Sequence, residues 1–212
     1  MPRDEIVLTS KLAGRHHGRD EARVGVTESL TNLGLAKIDL FLIHWPLPKI
    51  DKYVDSWKTL IDLRDEGLLG SIGVSNFTPE HLRRLVDETG VVPAVNQVEL
   101  HPFFPQVELR AVHQELGIVT EAWSPLGRGT GLLDDPIIVA ASEKHAVSTG
   151  QIVLRWHYQN GVVPIPMSSS PARRAQNLEL GGFELDESEV AAISSLGRGR
   201  IWGQDPNEHE EF

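Results

Sequence analysis

An α/β fold of the (β/α)8-barrel class is predicted by three features of this 212-residue sequence. Short runs rich in β-branched residues alternate with longer stretches of helical period, the pattern of a parallel sheet covered by helices. Glycines close several helical stretches shortly before the next β-run, as short αβ connections require. Polar and aromatic residues follow the β-runs instead of plain turns, as they do where the strand ends form an active rim. An open doubly wound sheet would also gather ligands at its strand ends. The sequence has neither a GxGxxG nor a P-loop motif, so the barrel is favoured.

The β-runs are taken in order. Ile6–Thr9 leads to Lys11, Ile38–Ile43 to His44-Trp45, and Ser71–Val74 to Ser75-Asn76. Ala94–Val98 contains Gln97 and runs on to Glu99 and His101; Ile118–Ala122 leads to Trp123-Ser124, and Val162–Ile165 to Ser168. This gives about six strands, short of the eight of a closed barrel. Helix starts are signalled by Thr78 before Pro79, by Ser170 before Pro171, and by the capping box Asp186-Glu187-Ser188-Glu189. Gly34, Gly67, Gly90 and Gly117 mark helix ends.

With 40% apolar residues the chain can bury one substantial core, and residues 1–212 are read as a single domain. No apolar run is long enough to span a bilayer, and Met1-Pro-Arg-Asp-Glu is unlike a signal peptide. No membrane partner is expected, and cytoplasm is the default compartment. A formal charge of −10 argues against nucleic acid, whose binding needs clustered Lys and Arg. Without cysteine there is no disulfide or thiolate chemistry. The nine histidines show no metal-ligand spacing, so no metal site is expected. The acidic tail Asn207–Phe212 reads as a solvated terminus or as part of a lid, with no role assigned.

The stretches Leu40-Phe41-Leu42-Ile43-His44-Trp45-Pro46 and Ser71-Ile72-Gly73-Val74-Ser75-Asn76-Phe77 resemble the aldo-keto reductase family. The resemblance continues through Asn96-Gln97-Val98-Glu99-Leu100-His101-Pro102, Ala122-Trp123-Ser124-Pro125-Leu126-Gly127 and Ile165-Pro166-Met167-Ser168, in the family's order and spacing. Within the family the chain is most similar to bacterial reductases related to 2,5-diketo-gluconate reductase.

The resemblance implies a (β/α)8 TIM barrel and an NAD(P)H-dependent oxidoreductase that reduces an aldehyde or ketone to an alcohol. In that chemistry hydride passes from a nicotinamide to the carbonyl carbon while a tyrosine, assisted by a lysine held by an aspartate, protonates the oxygen. Lys11 matches the lysine, and His44 the histidine that orients the carbonyl. Taken alone, Lys11 would read as a solvated strand-end lysine and His44 as a satisfied strand-end histidine. Ser75, Asn76 and Gln97 match the positions that read the carboxamide, and Trp123 the ring that stacks on the nicotinamide. Ser124 and Leu126 would line the pyrophosphate path. Ser168, Arg173, Gln176 and Asn177 surround a helix start suited to a phosphate. Met167 stands where the family usually has a lysine for the 2′-phosphate, so NADPH is the expected cofactor, with weakened preference over NADH. Arg173 and Arg174 also read as a solvated helix face. Trp45 and Trp202 would be walls for a small carbonyl substrate.

Only ten residues precede Lys11, whereas each βα unit takes about 30 and a whole barrel roughly 250. The family's aspartate and tyrosine lie upstream of that lysine. Neither Tyr53 nor Tyr158 matches the tyrosine, and Pro2-Arg3-Asp4-Glu5 resembles an internal lead-in to the third family strand. An N-terminally truncated domain is expected, through an unread upstream start, a lesion of the gene, or a sequence that leaves the segment out. The alternative to a reductase is then a catalytically disabled remnant or nucleotide-binding module. Exposed strand edges would favour self-association.

Overall fold

A computed structural model describes residues 2–211. Six strands hydrogen-bond in chain order in one sheet, the sequence of pairings that helical crossovers produce. The chain divides into two compact units, one of Met1–Asn96, Ala111–Val119 and Gln204–Phe212, the other of Gln97–Arg110 and Thr120–Gly203.

The first unit holds β1 (Thr9–Leu12), α1 (Arg19–Leu33), β2 (Ile38–Ile43), α2 (Tyr53–Asp65), β3 (Leu69–Ser75) and α3 (Pro79–Thr89). It also takes the first residues of β4 (Val95–Glu99) and the later part of α4 (Val107–Leu116). β2 is a nearly unbroken apolar run, as expected of a parallel strand buried on both of its faces. Its Phe41, Leu42 and Ile43 are buried with Trp57, Leu60 and Leu63 of α2. The strands pair in parallel, Thr9 beside Leu40 and Ile38 beside Leu69. A Cβ on Gly73 would lie 2.7 Å from the Val95 carbonyl oxygen, so β3 needs glycine there. Thr78 caps α3 as expected, and Gly34 and Gly90 close α1 and α3 in the left-handed conformation.

The first strand begins three residues later than the sequence suggests, at Thr9 instead of Ile6. Ile6 and Val7 are 40% and 74% exposed. The Leu8 amide donates to Asp39 Oδ2 at 2.8 Å, and Arg3 donates to the same oxygen at 2.7 Å. Those two donors hold the Asp39 carboxyl below its usual range, the Leu8 amide most strongly. β-Propensity expresses itself only where a partner strand is present, and here the carboxylate ties off the incoming chain first. Lys11 therefore lies within β1, beside Leu42, and not after it.

The second unit holds the rest of β4, then β5 (Val119–Trp123) from Thr120 on, α5 (Pro136–His145), α6 (Thr149–Gln159), β6 (Val162–Pro164), α7 (Pro171–Leu178) and α8 (Glu187–Ser194). β5 and β6 are parallel, with Thr120 beside Val162. Ser170 caps α7, and the capping box at Asp186 forms as the sequence indicates. The buried Trp156 of α6 donates its indole N–H to Ser194 at 2.9 Å.

Among the buried histidines, one in each unit carries a large cost that appears in acid. In the first, His17 has no hydrogen-bond partner for either ring nitrogen among the described residues. Burial chiefly pushes its pKa down to about 4; Glu211 opposes the shift and Lys52 adds to it. In the second, burial pushes His157 down to about 3 against its hydrogen bond to the Pro125 carbonyl. Unfolded, both titrate near ~6.5, so below that pH the unfolded chain binds the additional protons and stability falls until the folded values are reached. His17→Leu should remove roughly 3 kcal/mol of the stability lost between pH 7 and pH 4. Urea unfolding at the two pH values measures this; an undiminished pH dependence in the variant sinks the assignment.

Candidate functional site

In the first unit the expected residues converge at the ends of β1, β2 and β3. The His44 amide donates to the Leu12 carbonyl, which places His44 one step beyond the residue that follows Lys11 on the neighbouring strand. Asn76, in the left-handed conformation at φ 63°, turns its amide back to donate to the His44 carbonyl at 3.0 Å and to Ser75 Oγ at 3.1 Å. Positive φ is unusual for a non-glycine residue, and asparagine tolerates it better than most. Ser75 and Asn76 are buried, so both are held in fixed orientations.

The acidic tail is part solvated and part docked: Asn207 and Glu208 are exposed, His209, Glu210 and Glu211 are half-buried against the strand ends, and Phe212 lies outside the described residues. Glu211 Oε1 lies 2.5 Å from His44 Nδ1, and Oε2 accepts from the Gly14 amide at 3.3 Å. The His209 ring packs on buried Trp45 with centroids 4.1 Å apart. Lys49 donates to the Glu208 carbonyl at 3.2 Å and pairs with Glu210 at 3.6 Å. Burial would raise the Glu211 pKa, but the hydrogen bond and charge of His44, with the Gly14 amide and His17, bring it below the ordinary carboxylate value. Trp45, expected as a substrate wall, is covered by this segment.

In the second unit the Gln97 amide donates to Glu121 at 2.8 Å. Glu99 and His101 are both buried, with His101 Nε2 3.1 Å from Glu99 Oε1. The same oxygen accepts the Ile201 amide at 2.7 Å, while the Phe103 carbonyl accepts the amides of Arg198 and Gly199. Trp202 follows directly, 40% exposed, with the Arg128 guanidinium 5.7 Å from its ring centroid. Glu99 thus fixes the segment that presents Trp202.

The second unit also contains a cleft of about 610 Å³ lined by Leu126, Met167, Ser168, Arg173, Gln176 and Asn177. All six had been singled out in the sequence. Ser148, Thr149 and Gly150, at the start of α6, line the same cleft. The starts of α6 and α7 therefore both reach it, and each brings the positive end of a helix dipole. Hydroxyls, amides, a guanidinium and two helix starts form a donor set that fits the phosphates of a dinucleotide. Ser124, expected on the pyrophosphate path, does not line the cleft, and it adopts φ 50° immediately before the loop to Leu126.

Sequence reasoning missed three contributors: Glu211, His209 and the α6 start. The α6 start was signalled by Ser148 three residues before Gln151, a capping box that does form. Nothing local signalled that Glu211 returns to His44. Among the described residues no three His, Asp or Glu side chains group to hold a metal, and no helix is long and apolar enough to cross a membrane.

Comparison with known proteins gives a consistent result. The model of the Aldo/keto reductase family matches residues 1–198. The chain is 53% identical over 212 residues to 2,5-diketo-D-gluconic acid reductase B of Corynebacterium sp. (strain SHS752001), covering 100% of this chain and 76% of that protein. It is 45% identical over 207 residues to methylglyoxal reductase DkgA of Escherichia coli (strain K12), covering 97% and 74%. Among solved structures, a mutant of Gox0644 in complex with NADPH superposes with TM-score 0.94 at 47% identity, over 98% of this chain and 77% of that one. A Bombyx mori aldo-keto reductase in complex with NADP gives TM-score 0.90 at 38% identity, over 99% and 74%.

Proposed function

The chain belongs to the aldo/keto reductase family, and on that premise we propose that it binds NADPH and reduces a small polar aldehyde or ketone to the alcohol. The observation that carries this reading is the cleft where Ser168, Arg173, Gln176 and Asn177 meet the starts of α6 and α7. Arg173 and the two helix starts would hold the phosphates, and Leu126 would flank the pyrophosphate. Ser75, Asn76 and Gln97 would read the carboxamide, with Trp123 against the ring face. When bound, the reduced nicotinamide supplies a hydride. Lys11 and His44 would orient the carbonyl oxygen and stabilise the charge that develops on it. The substrate class follows from the relatives, one named for 2,5-diketo-D-gluconic acid and one for methylglyoxal.

A second reading, cofactor binding without turnover, is favoured by the placement of the two tyrosines. Tyr53 is buried in α2 with its hydroxyl 3.3 Å from Arg84, and Tyr158 lies exposed on α6 under the Arg155 guanidinium. Neither stands at a strand end. Titrating NADPH while following protein fluorescence, then adding a general aldehyde and following NADPH consumption, separates the readings. Saturable quenching with aldehyde-dependent consumption is expected. Quenching without consumption selects the second reading, and absence of saturable quenching removes both.

A further inference from the structure

We propose that Met167 is an oxidant-sensitive modification site on the wall of the cofactor cleft: a hydroperoxide converts its thioether to a sulfoxide, and the sulfoxide weakens the binding of NADPH. The effect on NADPH rests on the reductase reading, whereas the exposure and chemistry of the sulfur stand without it.

The chain has no cysteine and two methionines, Met1 and Met167, so Met167 carries the one sulfur among the described residues. Folded chains ordinarily bury methionine, and an exposed one offers its thioether to solvent. Here the side chain is 89% exposed and lines the cleft with Leu126, Ser168, Arg173, Gln176 and Asn177. Its backbone is held from both sides. Before it, the Ile165 amide donates to the Ala122 carbonyl at 3.1 Å, and the ring of Pro166 restricts the next backbone dihedral. After it, Arg174 Nη1 donates to the Ser168 and Ser169 carbonyls at 3.2 and 3.1 Å, and the Ser170 amide donates to Ser168 Oγ at 3.2 Å. The sulfur is therefore open to a small oxidant and kept at the cleft by an anchored main chain.

The oxidation needs no reactant besides the hydroperoxide. A sulfur lone pair attacks the distal oxygen, and the S–O bond forms as the O–O bond breaks. The proton of the distal oxygen passes to the departing oxygen, which leaves as water or an alcohol. Sulfur is oxidised by one electron pair, and the peroxide is reduced by it. The product replaces a flexible apolar group with a polar one, whose oxygen carries partial negative charge and only accepts hydrogen bonds. A dinucleotide phosphate is an acceptor too. The two therefore repel one another and compete for the same donors on the cleft wall, the Arg173 guanidinium and the Ser168 hydroxyl. Peroxide would thus lower this chain's draw on NADPH, and a methionine sulfoxide reductase would restore it.

The test uses the full chain and NADPH itself. Dilute hydrogen peroxide, afterwards removed with catalase, should add one oxygen atom to Met167, as read by peptide mass spectrometry. The dissociation constant for NADPH, from fluorescence quenching, should then rise about three- to tenfold, part of what one charge-assisted hydrogen bond contributes. Methionine sulfoxide reductase should bring it back. Met167→Leu should keep its own untreated affinity after the same exposure; it retains Met1 and every tryptophan, so a loss there has another origin. Three results overturn the proposal: a Met167 that stays unoxidised while free methionine in the same solution is converted, a treated wild type that binds as before, or an equal loss in Met167→Leu. Absence of saturable quenching in the untreated protein removes the NADPH reading and this proposal with it, whereas saturable quenching indifferent to oxidation removes the proposal alone.

Discussion

Glu99→Ala should cost the second unit about 2–6 kcal/mol of folding free energy. One carboxylate oxygen serves both the His101 ring and the Ile201 amide, and all of it is buried. Removing it strands two donors, each at about 1–3 kcal/mol. The effect should also be local: the Ile201 amide should lose its protection against hydrogen exchange, and the loop bearing Trp202 should loosen. Denaturant unfolding gives the total and amide exchange gives the location. A loss under about 1 kcal/mol, or an Ile201 amide that stays protected, contradicts the role assigned to Glu99.

Arg173→Glu should weaken NADPH binding by about 10- to 100-fold, since it replaces an attraction to phosphate with a repulsion in a cleft that holds two helix starts. NADH, without the 2′-phosphate, should lose less. In the opposite direction, Met167→Lys should raise the ratio of NADPH to NADH affinity by about tenfold. Met167 is 89% exposed on the cleft wall, so a lysine fits there without repacking. Dissociation constants of both cofactors for the three proteins provide the check. Equal losses for NADH and NADPH in Arg173→Glu would mean that the residue serves the pyrophosphate. A wild-type preference for NADH would reverse the reading of this end of the cleft.

The parts of the molecule that were legible in the sequence are those built from local rules. β2 appeared with its boundaries intact because its apolar run is both strand-forming and buried. The α3, α7 and α8 starts appeared because Thr78, Ser170 and Asp186 bond amides only a few residues away. The cleft was legible through Ser168, Arg173, Gln176 and Asn177 because these residues follow one strand and open one helix. β1 was displaced because Asp39, more than thirty residues away in the chain, intercepts the Leu8 amide, which no local propensity expresses. The docking of His209 and Glu211 was missed for the same reason. An acidic terminus is usually solvated, and only the assembled strand ends bring His44, Gly14 and Trp45 together to receive it.

The docking of the tail has a kinetic corollary. The two hydrogen bonds of Glu211 join residues 167 and 197 positions apart, against a few tens for neighbouring strands. Closing so long a loop is entropically expensive, and the half-exposed contacts it forms return little of that expense. The tail is therefore expected to engage after the sheet has consolidated and to detach well before the sheet melts. The environment of His44 would then be governed by a small, reversible opening of its own, through which the imidazole can be uncovered and re-engaged while the rest of the chain stays folded.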